Sequence, residues 1–159
     1  MSDLDQRVRL AAFAFLDQQT QLHGETLPRT VLAQGFEFDG RRVPLLGLEG
    51  IFKPAILPSI PLSITTAPPS DRKQRPYDDE FDPSGLLRYR YRGRDANHPD
   101  NVGLREAMRR QIPLVHVHGV VPGRYTAFGR SSGDSRTCYH RAVQSAKGID
   151  VSCAQLTRD

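Results

Sequence analysis

The chain has 159 residues, of which 38% are hydrophobic and 25% charged. That is one domain's worth of sequence, long enough to bury a core, and no apolar run approaches the roughly 18–20 residues that cross a bilayer. The charged N-terminus MSDLDQRVRL lacks the apolar stretch of a signal peptide, so a cytoplasmic location and no membrane partner are expected. The net charge is +4, and of the 22 basic residues only Lys53, Lys73 and Lys147 are lysines. Arginine's planar fork grips phosphate bidentately and stacks on bases, which suits nucleic acid. Codon usage in a GC-rich genome raises arginine equally well. Cys138 and Cys153 have no CxxC context, and two free thiols are expected.

Residues 4–22 read as one amphipathic helix. Leu4, Val8, Ala11, Ala12, Phe15, Leu16 and Leu22 recur at spacings of three and four, with Asp3 as N-cap and Gly24 as stop. A short helix follows from Pro28 to Gln34, its proline in the first turn and Gly35 at its end. Phe36–Phe38 and Val43–Leu46 read as strands joined at Asp39-Gly40. Residues 51–69 hold Pro54, Pro58, Pro61, Pro68 and Pro69, which fit edge strands and tight connections, with Leu62–Thr66 as a strand. Residues 67–85 read as a long polar surface loop.

Residues 86–92, LLRYRYR, alternate as a strand ended by Gly93. Asp100 or Asn101 caps a helix over about 102–110. Pro113–His118 and Tyr125–Phe128 are strands around a turn at Val121–Arg124. Residues 129–159 are polar and only faintly periodic, a poorly packed tail with at most one short helix near 139–147. With no βαβ rhythm, the expected class is α+β. N-terminal helices and a small, wing-like hairpin pack on a curved, mostly antiparallel sheet.

The strand at 86–92 is the strongest local signal. Arg88, Arg90 and Arg92 share one face and repel one another unless an anion lies across them; a DNA backbone supplies it. An exposed, solvated arginine face is the alternative. Leu87, Tyr89 and Tyr91 face the other way, and these tyrosines either fill the core or stack on bases. In Pro76–Phe81, two aromatics stand beside three acids. A carboxylate there can accept from the exocyclic amine of an extruded cytosine while Tyr77 stacks on its ring. Equally, those acids can pair with Arg72, Lys73 and Arg75. The turn with Arg92, Arg94, Asp95 and His98–Asn101 can hold phosphate at a helix N-terminus or be a capped turn. His116 and His118 share a strand face, but a metal site needs further ligands, for which His98 and His140 have no diagnostic spacing. No P-loop, dinucleotide fingerprint or Ser-His-Asp order is present, and no cofactor or metal is expected.

Six stretches together resemble a known family. They are Ile51–Pro54, Pro61–Ile64, Tyr77–Asp79, Gly85–Gly93 with Asp95, Asp100-Asn101 with Gly103–Arg105, and Pro113–Gly119 with Pro122-Gly123. This string resembles the N-terminal domain of HNH-type, modification-dependent restriction endonucleases, over roughly residues 1–128. The resemblance implies a reader of modified DNA, akin to the PUA, ASCH and SRA barrels that flip a base. Such proteins continue into an HNH module; here 31 residues follow Phe128 and hold none of it.

The expectation is therefore a reader domain at 1–128 with a polar tail at 129–159. It binds double-stranded, cytosine-methylated DNA near the nucleoid and does not cut it. Lys53, Arg88, Arg90, Arg92 and Arg94 contact the backbone, and Tyr77, Asp79, Tyr89, Tyr91 and Asp95 the modified base. A protein-interaction domain, a subunit or remnant of a restriction system, and a metal-dependent nuclease using His116 and His118 are the alternatives.

Overall fold

The computed structural model describes residues 1–69, 80–81, 86–89, 92–128, 138–145 and 148–155, giving the backbone course alone for 80–81, 86–88, 128, 138–145 and 148–155.

The first element, α1 (Asp3–His23), is capped by Ser2, whose hydroxyl accepts from the Asp5 amide at 3.2 Å. Asp3 is thus inside the first turn and not the cap; a carboxylate there still faces the positive end of the helix. Val8, Ala12, Phe13 and Leu16 are the buried stripe, whereas Leu4 and Leu22 are exposed. The stripe is narrower than the periodicity suggests because the helix overhangs the core at both ends. Gly24 ends the helix with φ 84°.

Pro28 closes the two-residue strand β1 (Leu27–Pro28) and caps α2 (Arg29–Gln34) from outside the helix. A hairpin follows, β2 (Phe36–Phe38) and β3 (Arg41–Val43), with Phe36 opposite Val43. Asp39 and Gly40 both take positive φ (47° and 74°), as a two-residue turn matched to strand twist requires. The strand stops at Val43, short of Leu46, because Pro44 has no N–H to add to the ladder.

The central sheet runs β1-β9-β8-β5-β4, with β4 (Ile51–Phe52), β5 (Ser63–Thr66), β8 (Val115–Val121) and β9 (Arg124–Phe128). Three of its pairings are antiparallel and one, β5 with β8, is parallel. The connection between β5 and β8 carries β6 (Glu80–Phe81), β7 (Leu86–Tyr89) and α3 (Pro99–Arg109). The class is α+β, as expected.

Alternation along the central strands separates two cores. Val115 and Val117 join Val8, Phe13, Leu16 and Leu32 on the α1 side. Ile64 turns the other way, toward Leu104 and Ala107 of α3 and toward Tyr89. One polar side chain ties the α1 layer down. Arg9, 1% exposed, meets Asp5 at 2.6 Å and donates to the carbonyls of Pro61 and Pro113, both at 2.9 Å.

The second sheet runs β10-β11-β7-β6, with β10 (Cys138–Ser145) and β11 (Gly148–Gln155) antiparallel. Residues 139–145 therefore contribute strand where the sequence suggests at most a short helix near 139–147. Polar strands carry little periodic signal of their own, and here β11 supplies the pairing and is itself paired with β7. In the same way β6 stands inside what reads as a loop at 67–85.

Candidate functional site

The polar residues that the sequence singles out around 92–101 converge at the start of α3. His98 is its cap: the ring Nδ1 accepts from the Asp100 amide at 3.2 Å. The helix thus begins at Pro99, earlier than the sequence suggests, and Asp100 and Asn101 lie inside its first turn with other work.

Asn101 is fully buried. Its Oδ1 accepts from the Arg92 amide at 2.8 Å, and its Nδ2 donates to the carbonyls of Arg92 (3.0 Å) and Asp95 (2.8 Å). These bonds clip the loop 92–95 to the helix. The loop is folded further by Asp95, whose carboxylate accepts from the Asn97 amide at 2.9 Å. From the second turn of α3, Arg105 donates to the Ala96 carbonyl at 2.6 Å.

Asp100, 7% exposed, stands between two cations: Lys53 Nζ at 3.0 Å and an Arg92 guanidinium nitrogen at 2.7 Å. The other Arg92 nitrogen reaches Glu49 at 3.1 Å. Burial opposes ionisation of Asp100, but the hydrogen bonds from Arg92 and Lys53 outweigh it and hold its carboxyl below the usual range.

The sign of the resulting pH dependence follows. A carboxyl depressed below its ordinary value of 3.8 stabilises the fold above that value and ceases to do so as pH falls through the folded pKa. Asp100→Asn is expected to lower stability by about 1–2 kcal/mol at neutral pH, since Lys53 and Arg92 keep partial access to water. In urea titrations the gap between the two proteins closes below pH 3.8. A gap that persists in strong acid assigns Asp100 a packing role instead.

The other expected site residues fall in different places. Lys53 and Arg92 are at the cluster, with part of their charge offset by Asp100 and Glu49. Arg94 is exposed at the crest of the clipped loop and has no ion-pair partner among the described residues. Asp95 is exposed beside it. Tyr89 is 6% exposed in the core on the α3 side, and its hydroxyl donates to the Thr65 carbonyl at 3.2 Å; of its two readings, core packing is the observed one. Arg88 stands on β7 in register between Glu80 of β6 and Asp150 of β11, so its directly opposed positions are acidic. Tyr77, Asp79, Arg90 and Tyr91 lie outside the described residues.

His116 is fully buried, with Nε2 3.0 Å from the Thr66 hydroxyl, and its ring lies edge-on to His118 at 5.7 Å. Among the described residues no group of three His, Cys, Asp or Glu side chains is placed to hold a metal ion. No helix among them is long and apolar enough to cross a membrane.

Sequence reasoning missed Glu49 and Arg9, since nothing in a lone charge announces a partner 43 or four residues away. The spacing of Asp5 and Arg9 by four on a helix is the one available signal for the latter. No protein-family model, curated protein or solved structure matches this chain.

Proposed function

We propose that this chain is a double-stranded-DNA-binding module that prefers 5-methylcytosine and does not itself cleave DNA. The observation that carries the reading is the clipped loop at the start of α3. It presents Arg94 to solvent on a braced backbone, beside Lys53 and Arg92 and next to a helix N-terminus. Backbone preorganised in this way gives up little entropy when a phosphate docks. The arginine bias of the chain and the resemblance of its motif string to modification-dependent restriction enzymes support the same reading.

The work divides among the cations. Arg94 carries the unshared charge and neutralises a phosphate. Lys53 and Arg92 shape the surface, with part of their charge already offset by acids. The modified base is read elsewhere, by Tyr77, Asp79 and Tyr91, with Tyr89 supporting from the core. Burying one methyl group is worth only about 1 kcal/mol, so stacking and a carboxylate that accepts from the cytosine amine must supply the remaining selectivity.

Mobility shifts with matched methylated and unmethylated duplexes test the function. Tighter binding to the methylated duplex is expected, with affinity falling steeply as salt rises. Arg94→Ala is expected to weaken both duplexes alike and to make the log–log salt slope shallower by about one unit. Tyr77→Ala is expected to bring the methylated-to-unmethylated ratio toward one with the slope unchanged. Equal binding of both duplexes by the unaltered protein refutes the preference, and absence of binding at low salt refutes the function.

A further inference from the structure

Within the turn between Leu46 and β4, one leucine is presented to water almost completely. Leu48 is 97% exposed, more than any other large hydrophobic residue among those described. A single exposed leucine needs no explanation by itself. What distinguishes Leu48 is how firmly its turn is held. A Cβ at Gly47 would lie 2.8 Å from the Phe52 ring, and one at Gly50 would lie 2.7 Å from the Tyr89 hydroxyl. The flanking glycines are therefore seated against side chains with no room to spare. The Gly50 carbonyl accepts from the Thr65 amide at 2.7 Å, tying the turn to β5. Glu49, the next residue, holds the Arg92 guanidinium at 3.1 Å.

A mobile loop can hide an apolar tip part of the time. This turn is fixed at both ends, so the leucine stays in water and its hydration cost is a standing feature of the unbound protein. The cost is recovered only on docking. The surroundings select the partner: through Glu49 the turn joins the cluster of Arg92, Lys53 and the loop bearing Arg94, on a chain of net charge +4. An apolar point on the surface that also presents the exposed Arg94 matches a polyanion with an apolar interior, which is stacked duplex DNA.

We infer that Leu48 is a wedge that enters the base stack of bound DNA and opens one step, while Arg94 holds a phosphate. The inference rests on the proposed DNA-binding function and adds to it a residue and a deformation. Opening a step also lowers the cost of extruding a base next to it.

The experiment uses the full chain and a short duplex with one central methylated site, in which 2-aminopurine replaces the flanking adenines. Binding is expected to raise 2-aminopurine fluorescence several-fold as its stacking is lost. Leu48→Ala is expected to remove most of that rise and weaken binding on the order of tenfold, the loss of a buried branched side chain. Its melting temperature and salt slope stay unchanged, because the side chain touches solvent in the free protein and carries no charge. Leu48→Met is expected to keep both signals. Tight binding with no change in fluorescence overturns the wedge and leaves the DNA-binding function standing. A Leu48→Ala protein with unaltered affinity and fluorescence overturns it as well. So does the dissociation of a dimer by that substitution without loss of DNA binding, which makes Leu48 a contact between copies. Absence of any DNA binding removes the function and the wedge together.

Discussion

Replacing Arg9 by methionine is expected to lower folding stability by about 3–5 kcal/mol, the cost of breaking a buried ion pair from one side. The guanidinium is 1% exposed and serves four groups at once: the Asp5 carboxylate and the carbonyls of Pro61, Pro113 and Ile60. Methionine fills much of the volume but donates nothing. Asp5, itself 8% exposed, is left as an uncompensated charge. The three carbonyls belong to the ends of chain that lead into the parallel pair of β5 and β8, so the loss falls on the middle of the sheet. Chemical denaturation measures it. The double variant Arg9→Met with Asp5→Leu is expected to recover part of the loss, because the stranded charge disappears with its partner. Equal stability of the single and double variants would show that the carbonyls, and not Asp5, dominate.

Asn101→Ala is expected to cost about 2–4 kcal/mol, from three hydrogen bonds and the buried backbone groups left unsatisfied. Its second effect concerns binding. With the amide gone, the Arg92 backbone loses two hydrogen bonds to α3 and the Asp95 carbonyl keeps the one from the His98 amide at 3.1 Å. Arg94 then rides on a loop that must be ordered at the moment a phosphate docks, and DNA affinity is expected to fall several-fold while the salt slope is retained. Asn101→Asp separates the parts of this argument. It keeps the acceptor for the Arg92 amide, loses both donations, and sets a second carboxylate beside Asp100. It is expected to be no more stable than the alanine variant. An Asn101→Ala protein that melts normally would remove the clip from the account of the site.

The elements legible in the sequence are those whose signal is local. α1 follows from apolar spacing and Gly24, and the β2–β3 hairpin from Asp39-Gly40, where both residues adopt the positive φ their side chains tolerate. β5, β8 and β9 follow from β-branched and aromatic alternation. Caps carry a weaker local signal. Ser2 and His98 displace Asp3 and the Asp100-Asn101 pair by one to three residues, because several neighbouring side chains can each satisfy a helix amide and only the approach of the chain selects among them.

Three things belong to the tertiary structure alone. The parallel pairing of β5 with β8 joins Ser63 to Val115 across a connection that no short-range pattern encodes. The fate of the arginines is decided by who stands opposite. Arg9 becomes a buried staple and Arg92 an ion pair with two acids, while Arg94 remains in water, though composition treats all three alike. Tyr89 is placed in the same way, for the alternation in LLRYRYR names two faces without saying which one meets a core. The physical reason is common to all of these. Backbone preference and apolar period act within a few residues and are written in the chain. The partner of a charge, the depth of a ring and the choice of neighbouring strand depend on segments tens of residues apart, brought together when the two cores form.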